Sequence, residues 1–140
     1  MVTNMRHSRI EVVEPHFRPL EAISKCFRNY KNFRGRASRS ELKWFTILTI
    51  LCAWPLLLTA YSTDLLIQIF SFLYLILTLA VITPQIAVWV RRMHDIGKSG
   101  RVWALILVPV LGWFLLWRWS RKPGDPEDNA YGPVLVTELP

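Results

Sequence analysis

The densest polar stretch of the chain is Arg91-Arg92-Met93-His94-Asp95-Ile96-Gly97-Lys98-Ser99-Gly100-Arg101, with a histidine beside an aspartate among four basic side chains. An imidazole next to a carboxylate can relay a proton or bind a metal. A metal centre needs three or four ligands, however, and the other histidines, His7 and His16, lie near the N-terminus. No catalytic or metal residue is therefore assigned, and no cofactor is implied. Two other roles suit the same residues. As structure, Asp95 pairs with Arg91 or Arg92, Gly97 and Gly100 permit a tight turn, and Ser99 caps the helix that follows. As a site, surplus arginine beside glycine-freed backbone suits a phosphate or a headgroup anion. No P-loop, G-x-S-x-G or H-E-x-x-H pattern occurs anywhere in the chain.

Two further segments carry concentrated polar chemistry. Phe33-Arg34-Gly35-Arg36-Ala37-Ser38-Arg39-Ser40-Glu41 sets Ser38 and Glu41 in the S-x-x-E relation of a capping box, which predicts a helix starting at Arg39. Gly35, Arg36, Arg39 and Glu41 join the candidate cluster, because Glu41 and Asp95 can pair with Arg36, Arg39 or Arg92 across an interface. The third segment, Pro123 onward through Asp125, Glu127, Asp128, Asn129, Tyr131 and Gly132, is acidic enough to suggest calcium. It lacks the alternating ligands, central glycine and distal glutamate of an EF-hand loop, so it reads as a turn-rich solvated tail.

Long uncharged runs separate these segments and must position them. Residues 44–63, 65–90 and 102–117 contain no Asp, Glu, Lys or Arg. A helix of roughly 20 apolar residues crosses a bilayer core of about 30 Å. The second run exceeds that length and must tilt, bend or emerge, with Pro84 as a bend point. The third is short and carries Pro109 and Gly112 in its middle, so it either spans tightly or folds back. Upstream, Leu20, Ile23, Phe27 and Tyr30 recur at helical spacing with charged residues between them, the pattern of an amphipathic helix lying at the membrane interface.

The predicted architecture is accordingly all-α and polytopic, with three transmembrane helices at about 44–61, 65–90 and 102–119 and an N-terminal interfacial helix. Residues 1–18 read as a flexible leader, 19–133 as one membrane domain and 134–140 as a tail. Ten basic residues precede position 44, four lie in residues 91–101 and three follow position 117. The bias toward cytoplasmic Lys and Arg then puts the N-terminus and the 91–101 loop inside the cell. Three full spans would put the tail outside. Cys26 and Cys52 read as reduced thiols, since one sits in a basic segment and the other inside an apolar run.

Three motifs taken together, F-R-G-R-A-S-R-S-E, R-R-M-H-D-I-G-K-S-G and G-D-P-E-D-N-A-Y-G-P, resemble the small bacterial inner-membrane proteins grouped as domain of unknown function 805. The similarity extends over about residues 20–133. It implies a bacterial plasma-membrane location and a compact helical fold, and it brings no established activity. Leu42, Arg101 and Glu127 depart from the family pattern, which often has an aromatic, a tryptophan and a glycine there.

A net charge of +7 could point to nucleic acid, but the cations here flank apolar runs, so no nucleic acid is expected and anionic lipid is the expected counter-charge. The leading expectation is a non-enzymatic envelope or accessory protein whose basic cytoplasmic surface contacts anionic lipid or a protein partner. The alternative is a small transporter or channel component built as a homo-oligomer, with Gln68 and Gln85 facing its axis. No Asp, Glu, Lys, Arg or His lies inside the three uncharged runs to mark a water-filled path.

Overall fold

Arg39–Thr59 and Leu65–Asp95 form two long helices in the computed structural model, which describes residues 14–59 and 62–135. We label them α2 and α3; Pro19–Arg28 is α1 and Leu111–Ser120 is α4, with a 3-10 helix over Gly100–Leu107 between α3 and α4. Among the described residues there is no strand, only an isolated bridge between Asn129 and Gly132. Residues 1–13 of the expected leader and 136–140 of the expected tail lie outside the described residues.

The start of α2 follows from its cap. Ser38 Oγ accepts the backbone N–H of Glu41 at 3.3 Å, half of the capping box that the sequence suggests. The Glu41 carboxylate does not reach back to the cap, because it turns to Lys25 and Arg91 instead. α3 opens on Asp64, whose side chain accepts from the N–H groups of Leu66 and Ile67. It runs unbroken through Pro84 and five residues past Val90, where the apolar run ends.

α2 and α3 pack antiparallel, and polar side chains fix their register. Ala37 N–H donates to the carbonyl of Arg91, Gln85 bonds to both Thr46 and Thr49 at 3.0 Å, and Thr78 donates to the Cys52 carbonyl. The partners advance along one helix as they retreat along the other. Gln85 is thus occupied between the two helices, whereas Gln68 lies exposed near the start of α3. α2 and α3 are each long and apolar enough to cross a membrane, and only 6% of the most apolar stretch of α3 is buried. Leu65, Leu66, Phe70, Phe72 and Leu79 all point outward. An exposed apolar surface of that extent suits hydrocarbon rather than water.

The third expected span, at 102–119, is not a single long helix. The chain makes eight residues of 3-10 helix, turns, and returns as the ten residues of α4. Pro109 has no N–H to continue a helix, and Val110, at φ 63° and ψ −70°, sits at the centre of a γ-turn closed by Leu111 N–H donating to the Pro109 carbonyl at 2.8 Å. Gly112 completes the bend, since a Cβ there would overlap the carbonyl oxygen of Leu105. The indole N–H of Trp113 donates to Ile106 O at 2.8 Å and ties the two limbs together. At about 2.0 Å per residue for the first limb and 1.5 Å for the second, the limbs are roughly 16 and 15 Å long. Gly100 starts beside Val90 and His94, and the Ser120 carbonyl accepts from Arg92, so both ends of the hairpin meet the same end of α3. The tail therefore returns to the basic loop, which corrects the expectation that it lies on the opposite side.

α1 turns its small side chains inward. Ala22 and Cys26 are buried against α2 while Leu20 and Phe27 are exposed, and the Phe27 ring meets Phe45 edge-on at 5.3 Å. The helix thus both packs on the protein and presents apolar side chains outward. Residues 14–17, expected as part of the flexible leader, are pinned without forming a helix: Phe17 N–H donates to Ser40 Oγ, and Ser40 Oγ donates to the Pro15 carbonyl.

Candidate functional site

The three polar segments meet at the end of α3. Arg91 and Arg92 are adjacent on a helix, so their side chains leave it about 100° apart and serve different partners. Arg92 shares a face with Asp95, one turn on, and the two form an ion pair with both side chains buried. Arg36, from the segment before α2, donates through Nε to Asp95 Oδ1 at 2.7 Å. Asp95 is therefore gripped by two guanidiniums, one on each oxygen.

The arginines then spend their remaining donors on the tail. Arg36 reaches the carbonyls of Glu127, at 2.8 Å, and Asp125. Arg92 reaches those of Ser120, Lys122 and Ala37. Asp125 N–H donates back to the Asp95 carbonyl at 2.7 Å, and Gly124 presses so closely on the Asp95 carboxylate that a Cβ would collide with it. Burial pushes the Asp95 carboxyl up from its usual value, opposed by the hydrogen bond from Arg36 and the charges of Arg92 and Arg36. These groups follow Val90, the last residue of the uncharged run.

His94 is held separately. Its Nδ1 lies 3.3 Å from the Gly35 carbonyl, which can only accept, so that nitrogen carries the proton. Its ring stacks on Tyr131 at 4.0 Å with 3° between the planes, and burial pushes its pKa below the ordinary value, which favours the neutral form. Asn129 donates to the His94 carbonyl and to Asp125 Oδ2, each at 2.9 Å. His94 and Asp95 thus face different partners, and the proton-relay geometry considered from the sequence is not formed.

On the other side of α3, Arg91 approaches Glu41 Oε2 at 3.4 Å and Lys25 approaches Glu41 Oε1 at 2.8 Å. Cys26 sits beside them, its thiol pushed up to about 11, first by burial and then by the Glu41 charge. Arg91 Nε and Nη2 have no hydrogen-bond partner among the described residues.

Most of the candidate residues from the sequence converge here: Gly35, Arg36, Glu41, Arg91, Arg92, His94, Asp95, Asn129 and Tyr131. Gly132 bridges Asn129 and, with φ of 147°, occupies a conformation open chiefly to glycine. Ser99 caps the 3-10 helix by accepting from Arg101 N–H, and Gly100 fits because a Cβ would lie 2.6 Å from Val90. Arg39 joins the cluster through Glu14, whose carboxylate binds Arg39 on one oxygen and Arg92, at 3.2 Å, on the other. Glu14, Lys25 and Gly124 were not legible as participants, since each needs a partner distant in sequence and none belongs to a recognisable motif.

The family model described as protein of unknown function (DUF805) matches residues 30–133. The chain is similar to inner membrane protein YhaI of Escherichia coli strain K12, 35% identical over 106 residues that cover 75% of this chain and 86% of that protein. It is similar also to inner membrane protein YhaH of the same strain, 33% identical over 118 residues, covering 78% and 91% respectively. No solved structure matches the chain.

Proposed function

Since the chain belongs to the DUF805 family of proteins of unknown function, we propose that it is a multi-pass protein of the bacterial inner membrane, an accessory of the envelope without catalysis of its own. In this reading α2 and α3 span, the 3-10 helix and α4 enter the bilayer to about half its depth and return, and N-terminus, basic loop and tail all lie in the cytoplasm. Limbs of roughly 15 Å against a core of about 30 Å support the re-entrant hairpin. The names of the relatives support the inner membrane.

The observation that carries the functional reading is how the cations divide. Arg36, Arg91 and Arg92 are buried and bonded within the protein, so they organise it rather than offer themselves to a ligand. Lys31, Arg34, Lys43, Arg101, Arg118, Arg121 and Lys122 are exposed on the segments adjoining that same end. Each basic side chain near an anionic leaflet contributes about 1 kcal/mol, an effect that salt screens over about 8 Å at physiological ionic strength. The basic surface then holds anionic lipid headgroups around the polar end.

Two measurements test this reading. Protein purified from nanodiscs of equal phosphatidylglycerol and phosphatidylcholine should retain the anionic lipid in several-fold excess, an excess that shrinks in high salt; equal retention would sink the lipid contact. Orientation is read from a cysteine at Glu127, an exposed tail position, in a background lacking Cys26 and Cys52. An impermeant thiol reagent should label it in inverted membrane vesicles and not in intact spheroplasts. Labelling in spheroplasts would place the tail outside and overturn the re-entrant hairpin.

A further inference from the structure

A cavity of about 740 Å³ lies between the first half of α2, Trp89 of α3 and the returning limb of the hairpin. That volume falls within the roughly 300–1,000 Å³ of small-molecule sites. Its walls are apolar, with Leu42, Ile47, Trp89, Ile106, Leu116 and Trp117 among them, and no acidic residue lines it.

The lining is graded along its length. α2 runs away from the polar end of the protein and contributes Arg39 and Lys43 first, then Thr46 and Ile47. α4 runs toward that end and contributes Trp113 first, then Leu116 and Trp117, then Ser120 and Arg121. Every cation of the lining therefore stands at one end and the hydrocarbon side chains continue toward the other. Arg121 rests over the Trp117 ring at 4.2 Å and Lys43 over the Trp44 ring at 5.0 Å, contacts that hold both charges near the rim. Glu14 already engages Arg39, so Lys43 and Arg121 supply the uncompensated charge.

Apolar walls with a cationic rim at the interface match one class of molecule: an amphiphile with an anionic head and hydrocarbon tail. Resting on the membrane placement above, we infer that this groove is a site for one anionic glycerophospholipid, its phosphate at Lys43 and Arg121 and the upper acyl chain along Ile47, Ile106 and Trp113. This is a seated lipid, distinct from the diffuse ring of headgroups around the basic surface. It fills the space between span and hairpin, which protein atoms leave open.

The test uses the full chain in nanodiscs of phosphatidylcholine with a minor fraction of phosphatidylglycerol, with bound lipids counted by native mass spectrometry. The wild type should carry one phosphatidylglycerol through conditions that strip the rest. Lys43→Gln with Arg121→Gln should lower its occupancy tenfold or more, and Ile106→Trp, which fills the groove without touching the charges, should lower it similarly. Arg28→Gln, on α1 and away from the groove, should leave it unchanged. All these positions are exposed, and unchanged helical circular dichroism verifies each fold. Retention unaffected by the groove variants would overturn the site while leaving the general anionic-lipid reading intact. Absence of any anionic preference in the wild type would overturn both. A dimer without bound lipid, dissociated by Ile106→Trp, would make a second copy of the chain the occupant and overturn the proposal.

Discussion

Replacing Asp95 with alanine is expected to lower the free energy of unfolding by about 3–5 kcal/mol, the range for removing one partner from a buried ion pair. Asp95 is 1% exposed, and the side chains of Arg36 and Arg92 that grip it are 1% and 0% exposed, so neither guanidinium can recover its lost counter-charge from water. Arg92 keeps the Glu14 carboxylate at 3.2 Å, whereas Arg36 keeps only the backbone carbonyls of Glu127 and Asp125 among the described residues, and a carbonyl carries no net charge, so Arg36 is the stranded guanidinium. The tail should loosen with the carboxylate, since the same arginines bind it. In a double-mutant cycle, adding Arg36→Met to Asp95→Ala should cost less than the separate losses predict, by about 1 kcal/mol or more, because it removes one stranded charge. Denaturant unfolding in detergent micelles reads both quantities. A loss below about 1 kcal/mol for Asp95→Ala, or a strictly additive cycle, would show that the cluster does not depend on this carboxylate.

Pairings that rest on helical geometry were legible in the sequence. Arg92 and Asp95 stand three apart and so share a face, and opposite charges between the segments flanking α2 and α3 suggested the link from Arg36 to Asp95. The partner of Glu41 was not readable in the same way. Which of two adjacent arginines faces α2 depends on the rotation of α3 about its axis, and Gln85 sets that rotation through Thr46 and Thr49. The tail offered only its side chains to a reader of sequence. Its principal contribution is backbone carbonyls, which look alike in every residue and become specific only once the turn at Pro123-Gly124 aims them.

The spans show the same division. Two long uncharged runs gave α2 and α3, because lipid demands that length and little else. The third run forms a hairpin at Pro109 and Gly112 rather than one long helix; both residues are visible in the sequence, yet composition alone does not decide whether a proline kinks a helix or reverses the chain. The decision rests on Gly112 admitting the Leu105 carbonyl and on Arg92 capturing Ser120 and Lys122, contacts across sequence. Arg118, Arg121 and Lys122 were the hint: basic residues after the third run oppose a tail across the membrane.

Glu41→Gln carries the second large expected effect, and it separates charge from shape. Glutamine preserves the volume and a hydrogen-bonding oxygen, so the loss is electrostatic. Lys25, with 36% of its side chain exposed, can turn to water at little cost. Arg91, at 4%, cannot, and two of its nitrogens already lack partners among the described residues. A loss of about 3 kcal/mol is expected from this buried guanidinium. Combining Glu41→Gln with Arg91→Leu should restore most of it, since apolar replacement of a buried pair is often neutral or stabilising. Cys26 gives an independent readout. Its thiol stands near 11 through burial first and the Glu41 charge second, so removing the charge favours the thiolate and lowers the pKa. The pH midpoint for alkylating Cys26 in the folded protein should move down in Glu41→Gln, though burial keeps it above that of a free thiol. General loosening would raise the alkylation rate at every pH without giving that midpoint shift. A midpoint that stayed at its wild-type position would mean that Glu41 does not bear its charge against Cys26, and the electrostatic account of this side of α3 would fail.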